Sequence, residues 1–117
     1  MIHLALYLIT ATASAPADLS PFMDEPVAAR AFEAHVSCLG TAGSDRSADS
    51  REARAVTAEI IQSCATTAAS LRAAMIDVYD RRPALRGGES AEEAADSYLA
   101  GFDVRVAEIV SEMRKRK

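Results

Sequence analysis

The sequence predicts an all-α fold: a small three-helix bundle dominated by a long antiparallel helix pair and closed by one disulfide. Three observations carry this expectation. Apolar residues recur at steps of three and four through two long stretches, the spacing that gathers one face of a helix. Half of the residues are hydrophobic but only 5% are aromatic. Alanine is the commonest residue; it favours helix and fills little volume, so the core should be closely packed helices without a roomy cavity. The two cysteines, Cys38 and Cys64, each fall on the apolar side of a predicted helix. A chain of 117 residues is one domain at most, of a size that buries about two-thirds of its unfolded surface.

The first element is a secretory signal, expected over residues 1–13. "MIHLALYLITATASAPA" opens with an apolar run, Ile2 to Thr10, well short of the roughly 20 residues that span a bilayer. Small residues follow in two A-x-A triplets, Ala11-Thr12-Ala13 and Ala13-Ser14-Ala15, the order of an export signal and its cleavage site. Cutting at the second triplet would leave Pro16 beside the scissile bond, so cleavage is expected after Ala13. No Lys or Arg follows Met1, and a buried N-terminal segment is the competing reading. Residues 14–25, "SAPADLSPFMDE", carry two prolines and no sustained period; they form an extended leader that Phe22 and Met23 alone could anchor. The helical domain is then 26–117.

Within it, the first helix starts with Asp24 as N-cap and Pro26 in the first turn, and Gly40 is the natural stop. Its stripe is Ala28, Phe32, His35, Val36 and Leu39. "TAGSDRSADS" follows as a loop by composition. A second helix is expected from about Ser50 to Arg82 on the stripe Ala53, Val56, Ile60, Cys64, Thr67, Leu71, Ala74 and Val78, ended by Pro83 and the Gly87–Gly88 pair. Ser90-Ala91-Glu92-Glu93 reads as a capping box, in which serine and glutamate each bond the other's backbone N–H. From it a third helix runs to the end on Ala91, Ala95, Tyr98, Phe102, Val106, Ile109 and Met113. Gly101, with Ala94 and Ser97, makes a strip of small residues where Ala65, Ala68 and Ala69 of the second helix could approach closely.

The chemistry worth weighing is "HVSC", His35 to Cys38. A nucleophilic cysteine needs a base within reach, and a histidine three residues earlier lies on the right side of a helix. No further histidine remains after export and no turn presents the thiol. A metal site would need His35, Cys38 and Cys64 to converge, and the cysteine spacing matches no zinc signature. A disulfide needs only the two cysteines and an oxidising compartment. It would contribute about 3.5 kcal/mol by loop-closure entropy. In that geometry Cys38 ends the first helix, the loop from Gly40 to Asp49 climbs back along the second, and His35 is a partly buried helix residue with a satisfied ring nitrogen.

Little else suggests chemistry. G-x-S-x-G is absent, and Asp77, Asp80, Asp96 and Asp103 fall on long helices, where solvated charge is ordinary. Arg81, Arg82 and Arg86 sit in an interhelical turn, a common place for charge. The formal charge of −4 excludes a nucleic-acid surface, since phosphate binding needs a concentrated basic face. The basic run Arg114, Lys115, Arg116 and Lys117 suits the last turn of a helix, where cations complement the dipole, with contact to an anionic surface as the alternative. The reading is therefore a non-enzymatic exported protein, periplasmic or secreted, with no cofactor and no metal. It would bind a protein or a second copy in an inhibitory, protective or assembly role through a helix face of Ile61, Met75, Ile76, Leu99, Val104 and Val110. The competing expectation is that Phe22, Met23 and Leu85 fold over those residues; the alternative function is thiol- or metal-dependent work at His35, Cys38 and Cys64.

Overall fold

A computed structural model describes Phe22 and residues 24–116. The signal expected over 1–13, most of the leader including Met23, and Lys117 lie outside the described residues. Among the described residues from 24 onward four α-helices follow in order: α1 (Pro26–Asp45), α2 (Ala53–Ser63), α3 (Ala65–Arg81) and α4 (Ala91–Lys115), with a 3₁₀ turn at Pro83–Arg86 between the last two. The expected all-α bundle is present. The expected second helix is divided at Cys64, so four helices stand where three were expected.

α1 runs past Gly40 to Asp45. Its buried stripe, Ala28, Phe32, His35, Val36 and Leu39, continues through Gly40, Ala42 and Gly43, so burial against neighbouring helices overrides the poor propensity of glycine. The helix ends where Arg46 folds back, its Nη1 donating to the Ala42 carbonyl at 3.1 Å and so satisfying one of the carbonyls a helix end leaves open. This corrects the loop geometry. The last two turns of α1 and the whole of α2 form an antiparallel hairpin around 46–52, which brings Cys38 level with Cys64 without a climbing loop.

That connection is held by charge. Arg51 bonds both Asp49 (2.7 Å) and Glu59 (2.7 Å), and Arg46 reaches Glu59 at 3.3 Å. These cations hold the Asp49 and Glu59 carboxyls down to about 2, through the Arg51 hydrogen bonds first. From the far end of the chain, Arg114 donates to the Asp49 carbonyl at 2.9 Å.

α4 begins as its sequence dictates. Glu93 N–H donates to Ser90 Oγ at 3.1 Å and Ser90 N–H to Glu93 Oε1 at 2.9 Å, a complete capping box. α3 packs against both α1 and α4, while α2 packs against α1 and α4. Rings fill the space between α1 and α4: Phe32 and His35 both meet Phe102, which meets Tyr98. Phe22 closes this end against Tyr79 and Tyr98, each such pair adding about 0.5–1.5 kcal/mol beyond its burial. Glu25 ties the start of α1 to the end of α3 through Arg81 at 2.6 Å, and Arg72 of α3 holds Asp96 of α4 at 2.6 Å. Among the described residues no helix is long and apolar enough to cross a membrane.

Candidate functional site

The α1–α2–α3 junction gathers the residues of "HVSC". Cys38 and Cys64 are joined, with sulfurs 2.05 Å apart and Cα atoms 5.9 Å apart. The expected disulfide is therefore present, and both sulfurs are committed to each other. Cys64 is buried at 1% exposure; Cys38 is half-buried and opens onto a shallow depression lined also by Ser37, Thr41, Asp45 and Ser63.

His35 is 3% exposed. Thr67 Oγ1 donates to the Cys64 carbonyl at 3.0 Å and lies 2.8 Å from His35 Nδ1. A hydroxyl has one proton to give, so the Thr67 oxygen accepts from His35, and the ring carries its hydrogen on Nδ1. Burial pushes the imidazole below the ordinary histidine value. The arrangement is a chain from ring to hydroxyl to the carbonyl at the helix break; His35 is satisfied as expected, and more fully buried than the partial burial expected of it. Among the described residues, no group of three or more His, Cys, Asp and Glu is placed to hold a metal.

A second small feature lies at the far end of the bundle. A cavity of about 20 Å³ is lined by Val56, Ile60, Val106, Val110 and Met113 and rimmed by Arg46, Asp49 and Arg114. That is room for about one water and not for an organic ligand.

Two of the six residues of the expected interaction face are interior. Met75 is 1% exposed and Val110 is buried, a correction to their expected partial exposure. Both lie on the sides of α3 and α4 that face the bundle, because the buried stripe of each helix is wider than a single row at steps of three and four. Ile61, Ile76 and Leu99 are half-buried against the core, as is Leu85, and Phe22 is buried. Only Val104 of the six stands out, at 59% exposure, joined by Val27 at 65%. Val104 sits on the outer face of α4 in an exposed row with Ser97, Ala100, Ala107 and Ser111. Gly101 is also exposed, and a methyl group added there would meet nothing within 4 Å; the expected close approach to Ala65, Ala68 and Ala69 is not made.

The arginines of the turn are engaged internally. Arg81 bonds Glu25 and Asp77, and Arg82 lies 3.5 Å from Glu25. Arg86 donates to the carbonyls of Tyr79 and Glu89. Arg114 is likewise turned inward to Asp49, leaving Lys115 and Arg116 exposed at the end of α4. Sequence reasoning placed Thr67 on the stripe of the second helix but missed its bond to His35, which becomes a neighbour only through the fold. It missed Val27 as well, an apolar residue off the stripe in the first turn of α1. Comparison of the chain with protein-family models, curated proteins and solved structures finds no match.

Proposed function

We propose that this chain is an exported helical interaction protein, periplasmic or secreted, that acts by binding through the outer face of α4 and performs no chemistry of its own. The observation that carries the reading is Val104, a large aliphatic residue held in water at the middle of the longest helix. Its row of exposed small residues allows a second helix to lie close, and helix-in-groove recognition uses anchors at this spacing. Burying one such side chain fully contributes about 1.5–3 kcal/mol, so affinity here needs the surrounding alanines as well. Export is supported by the Cys38–Cys64 bond, which persists in oxidising compartments and is rare in reducing ones. It agrees with the A-x-A start.

The test is Val104→Glu. The variant is expected to keep its helix content by circular dichroism and lose capture of whatever co-purifies with wild-type protein from the periplasm or medium. Equal capture by wild type and variant would refute the α4 face. Export is checked separately by N-terminal sequencing of protein from the expressing cell. The expected mature start is Ser14; an intact Met1 on protein recovered from the cytoplasm would refute it.

A further inference from the structure

The break at Cys64 is at odds with its own sequence. The apolar stripe runs without interruption from Val56 through Ile60 and Leu71 to Val78, and "IIQSCATTAAS" contains neither Pro nor Gly. Yet Cys64 has φ −111° and ψ 23°, and its N–H reaches the Ile61 carbonyl at 3.1 Å, three residues back, where a continuous helix would use Ile60. Neither side of the break is capped in the usual way. Cys64 is the N-cap of α3 and supplies no side-chain bond, although N-caps are ordinarily Ser, Thr, Asp or Asn. A break without caps, inside an unbroken period, must be held from outside the segment.

The contacts at the break come from α1 and its C-cap Arg46, and from side chains of the segment itself. The disulfide ties Cys64 to Cys38. Beside it, Ser63 Oγ donates back to the Glu59 carbonyl at 2.7 Å and accepts from Arg46 at 3.0 Å, while Thr67 donates to the Cys64 carbonyl. Back-bonding of this kind bends helices but does not ordinarily break them. Of these contacts the disulfide alone joins residue 64 directly to another helix.

We infer that the Cys38–Cys64 bond is a redox switch for this break. With the bond intact, α2 and α3 are separate helices and α2 seats Val56 and Ile60 against Val106, Val110 and Met113 of α4. When a dithiol reductant cleaves it, residues 53–81 join into one helix and α2 lifts from the end of α4, opening the small cavity already present there.

The exposures set the order of events. An incoming thiolate reaches the half-buried Cys38 from its open depression, whereas Cys64 is enclosed. Its sulfur bonds to Cys38 Sγ, the Cys38–Cys64 bond breaks, and its electron pair leaves on Cys64 Sγ. That thiolate forms at the N-terminal end of α3, which favours negative charge, and then takes a proton from water. The reductant's second thiol, as thiolate, attacks its own sulfur in the mixed disulfide and releases Cys38, which is protonated in turn. Two electrons and two protons reach the cysteines, and the dithiol departs as its disulfide.

The test follows residue 64 by heteronuclear NMR in the full chain: oxidised, reduced with dithiothreitol, and as the Cys38→Ala/Cys64→Ala pair. The oxidised chain should show a non-helical Cα shift and a large amide–Hα coupling at Cys64. On reduction both should move to helical values, and residual dipolar couplings should bring α2 and α3 onto one axis. Binding of an apolar dye should rise together with these changes. The alanine pair should match the reduced chain without any reductant. A break that persists at residue 64 in either folded thiol-free form would overturn the inference, because packing alone would then hold it. Global loss of amide dispersion in both the reduced chain and the alanine pair would overturn it too, since the bond would then hold the whole fold.

Discussion

His35 is the residue whose environment most constrains the chain's response to pH. Its ring is enclosed, donates to Thr67, and meets the edge of Phe102. Burial lowers its pKa in the folded state, so between that value and the unfolded value of about 6.5 the unfolded chain binds a proton that the native chain refuses. Stability is therefore unaffected by this group above about 6.5 and falls as pH drops below it, the loss becoming complete under the folded pKa. The carboxylates held low by arginines, Asp49 and Glu59, titrate in the native state at about 2, and their unfolded values near 4 confine their effect to lower pH. Urea unfolding at pH 7.5, 6.5 and 5.5 should show a declining midpoint for the wild type, with a flatter profile for His35→Gln. Parallel profiles for the two proteins would place the pH sensitivity elsewhere.

At the scale of elements, the residue that least suits its helix is Gly101. It sits inside α4 with open space where a Cβ would be, so no packing contact compensates for its flexibility. Gly101→Ala should raise stability by about 0.5–1 kcal/mol, a shift of roughly 2–8 °C in melting midpoint for a domain of this size, read by thermal circular dichroism. A fall in the midpoint would mean that a methyl group at residue 101 is not accommodated in the open space found there. What was legible in the sequence divides along the same line. The start of α4 was readable because Ser90 and Glu93 act on each other within one turn, and the stripes were readable because periodicity is local. The stop expected at Gly40 failed because burial of Gly40 and Gly43 against other helices outweighs propensity. The division at Cys64 was invisible because the bond that accompanies it comes from a different helix. The site shows the same contrast: the Cys38–Cys64 pairing followed from count and stripe, while Met75 and Val110 were misplaced because a stripe's width depends on how many neighbours cover it.

The whole molecule is an alanine-rich bundle; among the described residues Leu39, Ile60, Leu71, Met75, Val78 and Val106 are the most enclosed large side chains. Surface ion pairs such as Arg72–Asp96 contribute little each, about 0–1 kcal/mol, because water and salt screen them. The disulfide is therefore a large single contribution. Closing the segment between Cys38 and Cys64, separated by 26 positions, restrains the unfolded chain by about 3.5 kcal/mol, against a typical total of about 5–15 kcal/mol for a folded domain. Removing it should weaken the fold without abolishing it. The Cys38→Ala/Cys64→Ala pair is the cleaner probe, since Cys64→Ser would also leave a hydroxyl at a position 1% exposed and add a cost for a buried polar group. In urea at neutral pH, the alanine pair and the reduced wild type should unfold at the same midpoint, about 2–5 kcal/mol below the oxidised chain. A reduced chain as stable as the oxidised one would mean that the unfolded state is already compact around this hairpin, so that the bond restrains nothing the sequence had not restrained.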